Sequence, residues 1–453
     1  MNRFLLALAI AMIPVSLVQA TEKQPNIVFI MIDDLGWMDL ACQGNPLVET
    51  PRLDRLAQQG MRFTDAYAAA HVCSPTRAAV LTGLSPARLQ ITNHIPDQKR
   101  FIPDNPTLLP APMIDHLPLE NTTIAERLQA AGYRTAFMGK WHLSGRGAGL
   151  PKWEPDQQGF DINVGGCGFG GPPTFFDPYR IPNLSNRKSG EYLPDRLTDE
   201  AIEFIGDSKE RPFLLFLWNY TVHWPMEAPD SYLKKYADRK GPGLNDTRYG
   251  AMIEAMDSAI GRLLDALDER GLTQNTLVVF TSDNGGFSGV ADNRPLRESK
   301  GHLYEGGIRV PLIVRWPGVV QSGTICETPV ISMDYYPTLA EVAGLTTAAE
   351  VLDGVSILPL LNGNVIDRDS LFFHYPNYAW HRSNRLGGAI RQGRFKLVED
   401  FHDGSVELYD LENDLSERQD LSAEKTALAD RLQAQLADWR QRVGAAMPVK
   451  LDR

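Results

Sequence analysis

Several things are scarce in this sequence, and each scarcity excludes something. Beyond residue 20 no apolar run reaches the roughly 20 residues a membrane-spanning helix needs, so stable membrane insertion is not expected. Basic residues are outnumbered: 45 Lys and Arg stand against 56 Asp and Glu, a formal charge of -11. A nucleic-acid partner is therefore not expected, and any bound anion must be met by local positive charge. The chain shows no internal repeat and no low-complexity tract, so a repeat architecture is not expected. Cysteine is rare, with Cys42, Cys73, Cys167 and Cys326 in 453 residues. In an exported protein four cysteines allow two disulfides. If Cys73 serves chemistry, at most one pair remains, and the sequence does not select it.

What is present begins at the N-terminus. Arg3 precedes FLLALAIAMIPVSLV and then Gln19-Ala20, the pattern of a basic start, an apolar core and a small-residue cleavage site. Residues 1–20 are expected to be a signal peptide, and the mature protein is expected to be exported, periplasmic or secreted. Cleavage removes Arg3 and no acid, so the mature chain is one unit more negative. With 43% hydrophobic and 22% charged residues the remainder reads as a soluble globular protein. Its length suggests two domains, or one large domain with an appendage, and the division is expected at 21–365 and 366–453.

Residues 27–32 are continuously apolar and β-rich, as suits a strand buried on both faces of a parallel sheet. YRTAFM, PFLLFLW (212–218), NTLVVFTSDNGG (275–286) and VPLIVRW (310–316) are further strand candidates. Helical patterns lie between them. One is expected over Pro51 to Gln59 with Thr50 as N-cap, and one over Thr123 to Ala131. Tyr249, Met252, Ile253, Met256, Ile260, Leu263, Leu264 and Leu267 recur at helical spacing, with Gly271 placed to end the helix. Strands alternating with helices predict an α/β, doubly wound, mostly parallel sheet flanked by helices. After about residue 365 the pattern changes. AIRQGRFKLVED and SVELYDL read as two antiparallel strands joined through Asp403-Gly404. Leu428, Leu432, Leu436, Trp439 and Val443 mark one face of a final helix, so a smaller α+β domain is expected there. Segments 92–118 and 143–195 are rich in Pro, Gly and Asn and read as long functional loops. The second contains GGCGFGG, which fits G-x-G-x-x-G from Gly166 to Gly171. Pro172-Pro173 follows where a helix should start, so a dinucleotide site is rejected.

Chemistry gathers at the predicted strand ends. Asp33 and Asp34 end the first strand, and Asp283 and Asn284 end another. Open α/β sheets bind ligands beyond the carboxyl ends of their strands. Adjacent carboxylates repel unless something positive compensates them, and three carboxylates with an amide are hard oxygen donors that suit Ca²⁺ or Mg²⁺. Taken singly, DDLG and SDNGG could be plain polar turns; together, at two strand ends, they point to a metal. GKWHL (139–143), TVHWP (221–225) and ESKGHLYEGGIRVP (298–311) add Lys140, His142, His223 and Lys300. Lysine beside a metal can bind the oxygens of a tetrahedral anion, and histidine can exchange protons near neutral pH. The competing reading makes these ordinary surface and loop residues. Cys73 lies in HVCSPTRAAVLTG (71–83), where Pro75 can open a helix. Reading Cys73 as a small buried hydrophobe leaves the Cys-x-Pro-x-Arg spacing without a role.

That spacing resembles the signature of the type I sulfatases, in the alkaline phosphatase-like superfamily. IDDLG, GKWHL, TVHWP, SDNGG and SKGHLYEGGIRVP are similar to the other family motifs, in family order, across residues 26–315. FKLVED and ELYDL extend the likeness. The resemblance implies the superfamily's mixed, mostly parallel sheet and a C-terminal antiparallel sheet with a helix. It implies that Cys73 is oxidised to Cα-formylglycine by a separate maturation enzyme. Asp33, Asp34, Asp283, Asn284 and the modified residue 73 would hold a divalent cation, most often Ca²⁺. The hydrated aldehyde would attack sulfur. An attacking serine would leave a stable sulfate ester, whereas a gem-diol gives a hemiacetal sulfate that can expel sulfate and return to the aldehyde. Arg77 would orient the nucleophile, and Lys140 and Lys300 would bind sulfate oxygens. His223 would protonate the leaving alcohol, and His142 would take the proton from the hemiacetal hydroxyl.

AFMGKWHL, the GFD at 159–161 and SGEYLPDRLTDEAIEFI look most like bacterial carbohydrate sulfatases related to arylsulfatase A and N-acetylgalactosamine sulfatases. A sulfated carbohydrate of galactose or N-acetylgalactosamine type is the implied substrate. His94, Asp177, Arg180, His374, His381 and Arg382 are the loop candidates for recognising the leaving sugar. Two other readings stay open at this point. One is a phosphonate or phosphodiester hydrolase of the same superfamily. The other is a catalytically silent glycan-binding protein in which Cys73 stays a thiol.

Overall fold

Seven successive buried residues, Asn26–Ile32, form the central strand of a computed structural model that describes residues 24–96, 99–147, 149–208, 211–379 and 384–451. The expected signal peptide, His381 and Arg382 lie outside the described residues. In chain order the strands are β1 (Asn26–Ile32), β2 (Met61–Tyr67), β3 (Leu108–Leu109), β4 (Arg134–Gly139), β5 (Ile162–Val164), β6 (Phe213–Trp218), β7 (Thr276–Ser282), β8 (Arg309–Arg315), β9 (Thr324–Cys326), β10 (Val330–Ile331), β11 (Ser370–Tyr375), β12 (Gly387–Gln392), β13 (Phe395–Asp400), β14 (Val406–Asp410) and β15 (Val449–Lys450). The main sheet runs β10-β2-β8-β7-β1-β6-β4-β5, with β9 also on β2. Strands β7, β1, β6 and β4 are parallel neighbours, while β8 runs antiparallel between β7 and β2. The mixed, mostly parallel sheet is as expected.

The apolar runs of β1 and β6 reflect burial on both faces. Val28, Ile30 and Ile32 face a layer that includes helices Leu193–Asp207 and Thr247–Glu269. Ile27, Phe29 and Met31 face helices Cys73–Thr82, Ile124–Ala130 and Tyr335–Val342. Register then places the chemistry. Met31 pairs with Trp218 and Ile32 with Ser282, so the residues that follow leave the sheet side by side at one edge.

Local details refine the expected elements. Thr123 caps its helix in a capping box with Glu126. Helix Pro51–Gln59 forms, but the Thr50 hydroxyl does not cap it. That hydroxyl accepts from Ala41 N–H and donates to Asp54. The cap comes from another element: Asp257, on the long helix, accepts from Arg52 N–H at 3.1 Å and Leu53 N–H at 2.8 Å. AIRQGRFKLVED is not one strand. It is a hairpin of β12 and β13 that turns at Gly393-Arg394, with Gly393 at φ 57.

Strands β11 to β14 form a separate antiparallel sheet in that order. Ile390, Leu397 and Leu408 pack on Leu432, Leu436, Trp439 and Val443 of helix Thr426–Val443. Its join to the main sheet is partly apolar, through Leu371, Phe373, Tyr375 and Ala389 against Tyr67, Val72 and Ile308. It is also ionic. Buried Lys396 lies 2.9 Å from Glu305 and 2.8 Å from Glu417, while Arg309 and Arg391 hold Asp65. All four cysteines are free, so the disulfide left open by the sequence does not form. Among the described residues no helix is long and apolar enough to cross a membrane.

Candidate active site

Four neighbouring parallel strands end at one edge of the sheet and present the acid, amide and base residues together. Asp33 and Asp34 follow β1, Asp283 and Asn284 follow β7, Lys140 follows β4, and the turn carrying His223 follows β6. Backbone bonds extend the strand pairing into these turns: Asp33 N–H donates to Thr221 C=O, Asp283 N–H to Ile32 C=O and Lys140 N–H to Trp218 C=O. Cys73 opens helix Cys73–Thr82, which is buried all round, and an oxygen each of Asp33 and Asp34 and the Cys73 Sγ lie within 4.8 Å of one another. Lys300 enters from the segment before β8.

Charges inside this cluster are paired. Lys140 Nζ donates to Asp33 Oδ2 at 2.7 Å. Lys300 Nζ donates to both oxygens of Asp34, at 2.5 and 2.7 Å. Arg77 grips Asp283 Oδ2 through Nε and Nη2 at 2.9 and 2.7 Å, and its guanidinium lies 5.4 Å from the Trp218 ring centre. Asn284 Nδ2 donates to Asp34 Oδ1 at 2.8 Å. Burial, with Asp283 and Asp34 close by, raises the Asp33 carboxyl above its ordinary range against the pull of Lys140 and Arg77. Burial opposes ionisation of Asp34 as well, yet Lys300, His223 and Lys140 together hold its carboxyl below that range. Burial pushes the Cys73 thiol up to about 12.

The donor set fits a hard divalent cation. Asp33 Oδ1 and Asn284 Oδ1 are buried and accept no hydrogen bond, an expensive state for oxygens that have nothing to bind. Asp33, Asp34, Asp283 and Asn284 would hold the ion. With these carboxylates compensated by such an ion, Lys140 and Lys300 would be free to meet an anion.

Both histidines stand at this edge. His223 is half-buried, with Nε2 3.8 Å from Asp34 Oδ2. Burial and then Lys300 hold its imidazole down to about 3. His142 is buried, its Nε2 against the Ile95 carbonyl oxygen, and burial with Lys140 and Arg77 holds it well below the ordinary range. Asp34 and His142 carry φ of 64 and 61. Left-handed backbone at non-glycine residues costs energy and collects at functional sites.

The leaving-group candidates divide. His94 reaches the rim: burial, then Lys300 and Lys140, lower it to about 4. Asp177 is engaged within its own loop, where its Oδ2 accepts from Arg187 and Lys188 N–H at 2.6 and 2.7 Å. His374 is buried in the C-terminal sheet with Nε2 2.9 Å from Ala446 C=O and its ring 5.5 Å from Phe401. Arg180 is exposed on the loop before the Leu193–Asp207 helix, at φ 55. Sequence reasoning missed Ser74, whose hydroxyl donates to His142 C=O and accepts from Ile95 N–H, both at 3.0 Å, tying the Cys73 helix to the His142 turn. Its place inside the Cys-x-Pro-x-Arg motif was the available signal.

Comparison with known proteins defines the class first. The crystal structure titled Ps i-CgsB superposes with a TM-score of 0.79 at 30% identity, covering 92% of this chain and 93% of that one. The same holds for that protein in complex with k-i-k-neocarrahexaose. The architecture is thus that of the alkaline phosphatase-like hydrolases. The sulfatase family profile matches residues 25–345, and a profile described as N-sulphoglucosamine sulphohydrolase, C-terminal, matches 298–442. Arylsulfatase A of Homo sapiens is 36% identical over 416 residues, 83% of this chain and 75% of the relative. N-acetylgalactosamine-6-sulfatase of Mus musculus is 34% identical over 411 residues, 84% of this chain and 73% of the relative. The chain belongs to the sulfatase family and is a sulfuric ester hydrolase. Neither the phosphodiesterase reading nor the silent-binding reading is needed.

Proposed function

We propose that this protein removes sulfate from carbohydrate esters, with residue 73 working as Cα-formylglycine beside a bound Ca²⁺ or Mg²⁺. The observation that carries the proposal is the setting of Cys73. It opens a buried helix within reach of Asp33 and Asp34, where Lys140, Lys300, Arg77, His142 and His223 converge. An unmodified thiol held near 12 is a poor nucleophile at neutral pH. The hydrated aldehyde supplies a hydroxyl oxygen to attack sulfur and a second hydroxyl through which sulfate can be expelled without another attack at sulfur. The divalent cation supplies charge that polarises the sulfate and favours the ionised nucleophile.

The chain's own residues do the rest. Arg77, held by Asp283 and the Lys140 carbonyl, fixes the helix turn that carries residue 73. Lys140 and Lys300 bind the sulfate oxygens and stabilise the charge that develops on them. An anion against these two lysines offsets the charges that depress His223, which favours its imidazolium and readies it to protonate the leaving alcohol. His142 takes the proton from the residue-73 hydroxyl as sulfate departs. The maturation enzyme that oxidises Cys73 is part of the proposal, as is export of the mature chain after residue 20, supported by the N-terminal sequence pattern.

Galactose- or N-acetylgalactosamine-type saccharides are the proposed substrate class. The N-acetylgalactosamine-6-sulfatase relative and the oligosaccharide complex of Ps i-CgsB support it. The test is release of inorganic sulfate from a panel of sulfated sugars by the matured protein. Turnover concentrated on galactose and N-acetylgalactosamine sulfates is expected. Turnover confined to glucosamine or uronate sulfates would overturn the substrate class.

A further inference from the structure

The glycine-rich stretch that fails as a nucleotide motif lies against both histidines of the reacting centre. A Cβ placed on Gly170 would sit 2.8 Å from His142 Nε2 and 2.9 Å from its Cε1. One on Gly171 would sit 2.7 Å from His223 Nδ1, 3.0 Å from the Trp224 carbonyl oxygen and 3.1 Å from His223 Cε1, the ring atom Nδ1 being the tightest contact. Neither glycine uses the left-handed backbone region, so these positions require glycine for space and not for conformation. The backbone here is held in place. Asn163 Oδ1 accepts from Gly166 N–H at 3.0 Å, and Asn163 Nδ2 and Asn183 Nδ2 donate to Gly166 C=O at 3.0 and 2.8 Å. Tyr220 OH donates to Gly165 C=O at 2.9 Å, and His142 N–H donates to Cys167 C=O at 2.9 Å. One pinned loop therefore presents bare backbone to two imidazole rings.

We propose that residues 165–171 form a seat that sets the orientation of both proton-transfer histidines, Gly171 acting through His223 and Gly170 through His142. Both glycines are assigned as positioning residues that act through the rings they face. The inference rests on the histidine roles proposed above. As the bond from sulfur to the leaving oxygen breaks, its electron pair goes to that oxygen, which takes a proton from His223. A sugar alcohol needs that proton. An acidic phenol leaves without it. His142 acts later, when the residue-73 hydroxyl gives up its proton and sulfate leaves, a step common to every substrate.

The test compares Gly171→Ala, Gly170→Ala, His223→Ala and the double variant Gly171→Ala/His223→Ala in the matured enzyme. Each is assayed for kcat and KM on nitrophenyl sulfate and on a sulfated monosaccharide. A small misplacement of a reacting group costs up to about 100-fold. Gly171→Ala is expected to lose about that much in kcat on the sugar sulfate, with KM nearly unchanged and the aryl sulfate affected only a few-fold. Gly170→Ala is expected to lower kcat on both substrates alike. Adding Gly171→Ala to His223→Ala is expected to cost nothing more. Equal losses of Gly171→Ala on both substrates, or full additivity with His223→Ala, would overturn the seat. If His223→Ala itself spares the sugar sulfate, the acid assignment fails, and the double variant still decides whether Gly171 acts through His223. Asn183→Ala removes one pin without adding bulk. If Gly171→Ala does not fold, Asn183→Ala replaces it, alone and with His223→Ala. The loosened loop is expected to cost both substrates a few-fold through His142, and the sugar sulfate more than the aryl sulfate through His223. An excess loss on the sugar that persists in the His223→Ala background, or no excess at all, would contradict the seat.

Discussion

Lys300 and Lys140 are buried cations whose carboxylate partners also face the proposed cation position, so each has two tasks. Lys300→Ala is expected to lower kcat by about 10²–10³-fold, the usual effect of losing one donor to developing anionic charge. Steady-state kinetics on any good substrate checks this; a loss confined to KM would show that Lys300 binds sulfate without favouring the transition state. The acidic cluster makes a second prediction. Asp33, Asp34 and Asp283 converge in a buried cluster, so chelation of the proposed divalent cation is expected to lower both activity and melting temperature, and Ca²⁺ to restore both. A melting temperature indifferent to chelator and Ca²⁺ would speak against a cation there. At this scale the sequence was informative wherever chemistry is packed into short motifs. Asp33, Asp34, Cys73, Arg77, Lys140, His142, His223, Asp283, Asn284 and Lys300 all meet at one sheet edge. Asp177 and His374 are engaged by neighbours that the sequence did not reveal, because a loop residue's partners are set by tertiary contacts. Asp177 Oδ2 accepts from both Arg187 and Lys188 N–H, and His374 Nε2 lies against Ala446 C=O.

Between elements, Asp257 shows what periodicity does not reveal. It lies on the buried face of helix Thr247–Glu269 and caps helix Pro51–Gln59 across more than 200 positions of sequence. Burial raises its carboxyl from 3.8 to about 7 although the two N–H groups pull it down. A raised carboxyl favours folding most when protonated. Its contribution is therefore full below about pH 4 and is lost as pH rises through about 7, at no more than roughly 1.4 kcal/mol per pH unit. Asp257→Asn keeps a carbonyl acceptor but cannot ionise. Urea unfolding of both proteins at several pH values is expected to move their stability difference in favour of Asp257→Asn as pH rises from 4.5 to 7.5. A pH-independent difference would contradict the account. The sequence pointed to Thr50 because a Thr before Pro is a good local cap signal, and a distant Asp leaves no local trace. The β12–β13 hairpin was missed for a different reason. Its signal, Gly393 in a two-residue turn, was present inside a run read as one strand.

The main sheet and the C-terminal antiparallel sheet are joined by apolar contacts and a buried ionic cluster, and composition does not announce that join. Lys396 on β13 reaches Glu305, five residues beyond Lys300, and Glu417 in the C-terminal part. Burial, and then Glu305 against the pull of Lys396, raises Glu417 to about 7. Lys396→Met would leave two buried carboxylates facing each other, a change expected to cost about 3–5 kcal/mol and to open the C-terminal sheet to proteolysis before the main sheet. Equal stability of the variant would show that the apolar contacts suffice. The parallel sheet was readable because both-face burial writes continuous apolar strands, and the C-terminal helix because its Leu432, Leu436 and Val443 face is periodic. The docking between them depends on charges scattered from residue 65 to residue 417, which only the fold brings together. The central claim is that a modified residue 73 performs the hydrolysis. Its most direct test is peptide mass spectrometry of the 71–83 segment from protein made with and without the maturation enzyme, alongside sulfate release by each preparation. The account predicts an aldehyde or its hydrate at residue 73 in the active preparation and negligible turnover where Cys73 remains a thiol. Full turnover by chains carrying unmodified Cys73 would contradict it.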